Sequence, residues 1–321
     1  MRAAQIAELG APPEPVEVAE PEPGDGDTLV HVAAVALNPL DVAVGAGRFY
    51  GGHPPLPYAP GCEAVGRTDD GELVYLFGDG RGIGKPGFLV ERARVRRDLP
   101  LRLPPGTDPA LAAAAGIAGI AAWVPVAWKA KVGPGDRVLV LGASGAVGLV
   151  AVQAAKLLGA DRVVAAGRDL ARLERARELG ADELVQLGDA DALAAAFGGD
   201  GFTVCIDPLW GEPLAQALDA AARHARVVHL GQSAGPESPL RSADVRGKEL
   251  QILGHSNFAL TPEERGRAHL ELLDHIAAGR IALDAERFPF ERVGEAWRAA
   301  ARRRQGRRRA LVGRLLLRRT P

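Results

Sequence analysis

The stretch Gly142-Ala143-Ser144-Gly145-Ala146-Val147-Gly148 sits between an apolar run at 138–141 and a second apolar run that reaches residue 158. Small residues at this spacing let a backbone turn approach a phosphate and let the next helix pack close against the strand before it. The start of that helix adds unpaired N–H groups and a partial positive charge. With a strand before the loop, a helix after it and another strand beyond, the chemistry is binding of a dinucleotide pyrophosphate, with Gly145, Ala146 and Val147 as the contacts. The match to G-x-G-x-x-G is incomplete, because Ala143 stands where the first glycine would.

The residue that selects between dinucleotides lies roughly 20 positions further on, at the tip of the second strand. An Asp or Glu there would accept from a ribose 2′-hydroxyl. Here the strand ends Ala166-Gly167-Arg168, with no acid at the tip. Arg168 can hold a 2′-phosphate by charge and by its planar fork, and Arg172 lies one helical turn further on. Gly167, Arg168 and Arg172 are therefore candidate cofactor contacts and NADPH is the expected cofactor; the alternative makes both arginines solvated residues at a helix start. Asp169 falls where it can cap that helix. Leu209 follows the fourth strand and Gly231-Gln232-Ser233 the fifth, at the sheet's carboxyl ends, where open α/β sheets bind ligands. Leu209, Gly231 and Gln232 are expected to line the cofactor cleft.

The elements that must position these residues follow from periodicity. Strands are expected at 137–141, 162–166, 183–187, 202–206, 226–230 and 249–253, with helices at 146–158, 170–179, 190–197 and 213–224 among them. Such alternation makes βαβ units and a parallel sheet covered on both faces. The first hundred residues read instead as β-rich and irregular, with a β-type run at 28–36 and Pro/Gly breaks at 51–57, 78–84 and 104–106. Residues 14–27, rich in proline and acid, read as an ordered surface connection. Beyond Gly254, a helix is expected from Thr261 or Pro262 to 278, with Glu263 and Glu264 in its first turn and Gly279 past its end. A strand at 288–290, a helix at 293–304 and a last strand at 309–317 follow.

At 321 residues the chain exceeds one ordinary core, so two domains are expected. Hydrophobic residues at 47% and charged residues at 25% fit a globular enzyme, and a net charge of −1 gives no global field for nucleic acid or an anionic membrane. No stretch reaches the ~18 apolar residues of a membrane helix, so a cytoplasmic protein is expected. Two cysteines, Cys62 and Cys205, are too few for a disulfide framework or a four-thiolate zinc site. The arginines at 302–304 and 307–309 raise nucleic-acid binding as an alternative to a solvated helix end.

With these residues in place the chain resembles the medium-chain dehydrogenase/reductase superfamily over nearly its whole length. Asn38-Pro39-Leu40-Asp41 matches its N-P-x-D segment, and Pro60-Gly61-Cys62-Glu63-Ala64-Val65-Gly66 its P-G-x-E-x-x-G. Lys131-Val132-Gly133-Pro134-Gly135-Asp136 matches the loop into the glycine strand, and Leu179-Gly180-Ala181-Asp182 its L-G-A-D. The resemblance implies an α/β protein in which a Rossmann doubly wound parallel sheet, 118–255, is inserted in a β-rich GroES-like catalytic domain made of 1–117 and 256–321. The family's catalytic zinc ligands correspond to Asn38, Cys62 and about Ile117. One possible ligand in three cannot hold the metal, so a zinc-free enzyme of the quinone oxidoreductase-like branch is expected.

Without a Lewis acid, oxidation of an alcohol is disfavoured, and reduction of a quinone or other α,β-unsaturated carbonyl is the expected reaction. The site must orient the partners, exclude water and place a donor near the acceptor's oxygen. The resemblance puts Asn38 near the nicotinamide and the substrate carbonyl, as a cofactor contact and catalytic candidate; its alternative role is to form the turn before Pro39. It also brings in Tyr50, since enoyl reductases of the superfamily carry a proton-donating Tyr shortly after N-P-x-D; the matching position is Phe49, one residue earlier. Ala121 replaces a Thr usual behind the nicotinamide, and Leu187 a Tyr near the adenosine. Specificity is expected to rest on Phe49, Tyr50, Trp123 and Phe258. Two other readings stay open: an enoyl-thioester reductase, and an NADPH-binding sensor without useful turnover. Related proteins dimerise through an edge strand, here at about 250–253, so a homodimer is expected.

Overall fold

The computed structural model describes residues 1–302 with their side chains and the backbone of 303–304 and 314–318. The arginines at 307–309 and the first five residues of the strand expected at 309–317 lie outside the described residues. The chain divides into two compact units, Met1–Ile117 with Leu283–Pro321, and Ala118–Ala282.

In the first unit β1 (Arg2–Gln5) pairs antiparallel with β2 (Glu14–Glu17), so the segment expected as a plain connection carries a strand. The long β3 (Asp27–Leu37) lies between β4 (Glu63–Thr68) and, on its other flank, β6 (Arg92–Arg96); β5 (Leu73–Phe77) and β7 (Leu101–Arg102) extend the sheet beyond β4. Strand β6 shows the period of two: Ala93 and Val95 are buried, while Arg92, Arg94 and Arg96 point outward. Helix α1 (Pro39–Gly45) begins where β3 ends, because Pro39 pre-sets the first helical turn. Helix α2 (Pro109–Ala115) is capped by Asp108, whose carboxylate accepts from the amides of Ala110 and Leu111. Ile6, Tyr58, Leu76, Phe88 and Trp297 are among the large side chains of the core.

The second unit opens with α3 (Ile117–Trp123), which runs into a π-helical turn, Val124–Lys129. There follow β8 (Arg137–Leu141), α4 (Ala146–Leu157), β9 (Arg162–Gly167), α5 (Leu170–Glu178), β10 (Glu183–Gln186), α6 (Ala190–Ala196), β11 (Phe202–Asp207), α7 (Gly211–Ala217), β12 (Ala221–His229), α8 (Ser242–Gly247), β13 (Gln251–Gly254) and α9 (Pro262–Ala277). The six strands form one parallel sheet in the order β10-β9-β8-β11-β12-β13. Strand order reverses between β8 and β11, which makes that junction the topological switch point of a doubly wound fold. The apolar runs of β8, β9 and β11 are buried along nearly their whole length, as strands covered on both faces must be.

The chain then returns to the first unit through β14 (Ala285–Pro289), α10 (Val293–Arg304) and β15 (Arg314–Arg318). Strand β15 pairs parallel with β14 and antiparallel with β3. Gly45 permits the close seating of α10: a Cβ there would stand 2.6 Å from the Trp297 ring.

Two expectations need correction. The helix expected at 213–224 ends at Ala217, and β12 begins at Ala221. The Lys248 ammonium donates to the carbonyls of Leu218 and Asp219 (2.6 and 2.8 Å), closing the helical turn. The chain then runs against Gly201, where a Cβ would meet the Ala220 carbonyl at 2.7 Å. The second unit also extends to residue 282 rather than 255. Glu271 of α9 accepts from both Trp123 Nε1 (2.8 Å) and Trp128 Nε1 (3.0 Å), and Gln153 of α4 exchanges two hydrogen bonds with Ala282, so α9 and its exit belong with the second unit. Thr261 caps α9 as expected, and Glu264 completes a capping box by accepting from the Thr261 amide at 2.9 Å.

Candidate functional site

In the second unit the glycine loop turns at Gly142 with φ +62 and places Gly145 at the N-cap of α4. No side chain caps this helix, so the N–H groups of its first turn, at Ala146 and Val147, are open to an anion. Gly145 is exposed and Ala146 and Val147 are half-buried. Gly148 sets the closeness of helix and strand, since a Cβ there would stand 2.5 Å from Ala143 Cα and 2.7 Å from the Gly142 carbonyl. Ala143, in the place of the motif's first glycine, is fully buried, and its amide donates to the Ala166 carbonyl at 3.0 Å, tying the loop to the end of β9.

At the tip of β9, Gly167 packs against Leu173, and Arg168 projects into solvent. Among the described residues neither the Arg168 nor the Arg172 side chain makes a hydrogen bond or ion pair, whereas many of the chain's other arginines are paired with carboxylates. Arg172 Nε is buried without a partner. Two uncompensated guanidinium groups one turn apart, beside a bare helix start, are what a phosphate-bearing ligand requires. Asp169 occupies the N-cap of α5, but its side chain makes no capping hydrogen bond.

At the ends of β11 and β12 the sequence reading named Leu209, Gly231 and Gln232 and missed the residues that organise them. Asp207 is fully buried. Its Oδ1 accepts from the amides of Leu209 and Trp210, both at 2.9 Å, and its Oδ2 faces His229 Nδ1 at 3.0 Å. A carboxylate can only accept, so the His229 Nδ1 carries the proton. The Trp210 ring lies 4.1 Å from the imidazole, centroid to centroid. Gly231 abuts Pro208, where a Cβ would come within 2.8 Å of the carbonyl, and Gln232 is exposed. His255, following β13, is buried; its Nε2 pairs with Asn257 at 2.9 Å, and burial pushes its pKa down to about 4.

In the first unit Asn38 and Asp41 are joined to the P-G-x-E segment in one buried cluster. Asn38 Nδ2 donates to Glu63 Oε1 (2.7 Å) and to the Ala36 carbonyl (3.2 Å). Glu63, fully buried, also accepts from Tyr75 Oη (2.7 Å) and from the Ile117 amide (2.6 Å) through Oε2. Gly116 makes room for this carboxylate: a Cβ there would stand 1.8 Å from Oε2. Asp41 accepts from the amides of Asn38 (2.6 Å) and Cys62 (2.8 Å); burial pushes its carboxyl up, against these bonds.

This geometry changes the role expected of Asn38. Asn38 is buried and both hydrogens of its amide are engaged inside the protein, so it cannot donate to a substrate oxygen. Tyr50 is 87% exposed on a turn, its ring 4.4 Å from that of Phe49, and no neighbouring group in the first unit holds its hydroxyl among the described residues. Trp123, expected among the specificity residues, is buried with its N–H on Glu271 and its ring beside His275. Of the positions where relatives hold zinc, Asn38 offers no thiolate or imidazole, and Ile117 is apolar. Cys62 is buried, and that burial, with Asp41 beside it, holds its thiol well above the usual range. These residues do not fit a catalytic zinc. Among the described residues no group of three His, Cys, Asp or Glu could hold a metal ion.

Residues 146–274 match the family model described as zinc-binding dehydrogenase. Quinone oxidoreductase of Homo sapiens is 28% identical over 314 residues, covering 92% of each chain, and that of Sus scrofa is 30% identical over 256 residues, covering 77% of each. The quinone oxidoreductase from Thermus thermophilus, whose solved structures include a complex with NADPH, is 28% identical with a TM-score of 0.81 over 99% of this chain and 100% of that one. The chain is an oxidoreductase and belongs to the medium-chain dehydrogenase/reductase superfamily, in its quinone oxidoreductase-like branch.

Proposed function

We propose that the protein is a zinc-independent, NADPH-dependent reductase of quinones or other α,β-unsaturated carbonyls. The observation that carries this reading is the unpaired Arg168 and Arg172 at the tip of β9, next to an uncapped helix start. Arg168 and Arg172 hold the 2′-phosphate, and the amides of Ala146 and Val147 hold the pyrophosphate, with Gly145 and Gly167 keeping the approach free of side chains. Leu209, Gly231 and Gln232 line the other half of the cofactor's bed. Bound NADPH supplies the hydride. Asn38 has its amide fixed by Glu63 and the Ala36 carbonyl, so it serves the turn before Pro39 and is no proton donor in this reading. The donor set at Asn38, Cys62 and Ile117 supplies no Lewis acid, which favours electron-poor acceptors over alcohol oxidation.

A homodimer through β13 accompanies this reading. Its outer edge carries no strand among the described residues, and Ile252 is exposed on it. No single described helix is long and apolar enough to cross a membrane, and the reading places the enzyme in the cytoplasm with small-molecule substrates and no nucleic-acid partner.

The test is NADPH oxidation, followed by its absorbance with EDTA present, against para-quinones, simple enones and an enoyl-CoA. Turnover on a quinone or an enone supports the reading. Turnover lost with EDTA and restored by zinc overturns its metal-free part; turnover with NADH alone overturns the role given to Arg168.

A further inference from the structure

Reduction of a quinone or enone consumes one hydride and one proton. Asn38 has no hydrogen to spare and the Tyr50 hydroxyl has no partner among the described residues, so a better-held proton source is sought elsewhere. In a doubly wound sheet each half binds one mononucleotide, and the switch point lies between β8 and β11. Arg168 and Arg172, just past β9, assign the 2′-phosphate, and with it the adenosine, to the β8–β10 half. The nicotinamide then falls to the carboxyl ends of β11–β13. His229 stands at that end, the last residue of β12.

We propose that His229 is the acid that completes the reduction, oriented by Asp207; this rests on the function proposed above. Asp207 is buried and fixed by two backbone amides, so the carboxylate that takes the His229 Nδ1–H does not move. Trp210 covers the ring from one side. The His229 side chain keeps 27% of its surface exposed, and Nε2 has no hydrogen-bond partner among the described residues and is not a buried atom, so it opens to solvent at the carboxyl end of β12. An imidazole whose inner nitrogen is pinned by a carboxylate and whose outer nitrogen is open at the carboxyl end of the sheet is the usual arrangement for general acid–base work.

The step balances. Two electrons and one hydrogen reach the acceptor as hydride from NADPH, leaving negative charge on the acceptor's oxygen. The Nε2–H bond of the imidazolium breaks, its electron pair stays on Nε2, and the proton forms the O–H bond of the product. The ring, now neutral and still donating Nδ1–H to Asp207, takes its next proton from water. The other titratable groups near this end are Asp207 and His255 with Lys129 beside it, and His255 is held neutral by burial.

The test has two readouts. NMR of the uniformly labelled chain titrated with NADP⁺ follows the backbone amides of Gly145 and Arg168 and the ring resonances of His229, with His224, in the first half of the same strand, as control. The proposal expects all but His224 to shift. His229→Gln, checked for folding by circular dichroism, should keep its affinity for NADPH, lose on the order of 10²-fold in kcat and lose the pH dependence of kcat. Asp207→Asn should lower kcat with the pH dependence retained but displaced. A folded His229→Gln enzyme with unaltered kcat and pH profile overturns the proposal, as does movement of Gly145 and Arg168 while His229 stays still. If Gly145 and Arg168 themselves do not move, the proposed cofactor site has failed, and this inference falls with it.

Discussion

Replacing Glu63 with Gln keeps the shape of the buried cluster and changes only its hydrogen-bond arithmetic. The donors to this side chain include Asn38 Nδ2, Tyr75 Oη and the Ile117 amide. A glutamine has one oxygen, and the Ile117 N–H cannot turn, so that oxygen must take the Tyr75 and Ile117 side. Its amino group then faces Asn38, which must flip to meet it, and the Ala36 carbonyl is left without its side-chain partner. Three bonds lose charge assistance at about 1 kcal/mol each and the Ala36 bond costs about 1 kcal/mol more. Relief of a buried carboxylate offsets part of this, for a net loss of about 2 kcal/mol. For a domain of this size that lowers the melting temperature by roughly 4–8 °C. Thermal unfolding measures the loss, and the side-chain amide resonances of Asn38 report the flip. A variant that melts with the wild type, with those resonances unmoved, refutes the reasoning.

Gly116→Ala attacks the same cluster by volume. Its φ of −62 lies outside the left-handed region, so the loss comes from the Cβ driven against Glu63, and unfolding should show the roughly 1–3 kcal/mol typical of overpacking. Arg168→Ala and Arg172→Ala should each weaken NADPH binding about ten- to hundredfold by titration calorimetry and leave NADH binding unchanged; equal losses for both cofactors would remove the 2′-phosphate role. Gly148→Ala should both destabilise the second unit and weaken binding of either cofactor, because the new Cβ pushes α4 off the loop. His255 is neutral when folded, with a pKa near 4 against an ordinary 6.5. As pH falls from 6.5 toward 4 the unfolded chain takes up a proton that the folded one refuses, so stability falls across that window, by up to roughly 3 kcal/mol, and is flat above it. His255→Gln should flatten denaturant-derived stability over the same range.

The parallel sheet was legible because its strands are buried on both faces and read as unbroken apolar runs, several followed by a helix with a glycine at its end. The loop at 142–148 and the arginine at 168 could be read for the same reason: backbone chemistry there depends on local spacing. The end of α7 could not, because it is closed by Lys248, some thirty residues away. The boundary at 282 depends on Glu271 meeting two tryptophans far earlier in the chain. Glu63 lay in plain view inside a recognised motif, yet its work, holding Asn38 with its hydrogens inward, needed Tyr75 and Gly116 in three dimensions. His229 gave no signal at all, since a lone histidine at a strand end acquires meaning only once Asp207 is seen beside it.

The strand order of the first unit has a consequence in time. Strand β3 is made before the second unit, but one of its neighbours, β15, is made only after the entire second unit has been synthesised. The second unit is one unbroken stretch and can close as soon as residue 282 is free. The first unit cannot. While the second unit emerges it is an unfinished sheet with an open edge along Ala34–Leu37, the stretch that leads directly into Asn38, so the cluster around Glu63 gains this supporting strand only once residue 318 is free.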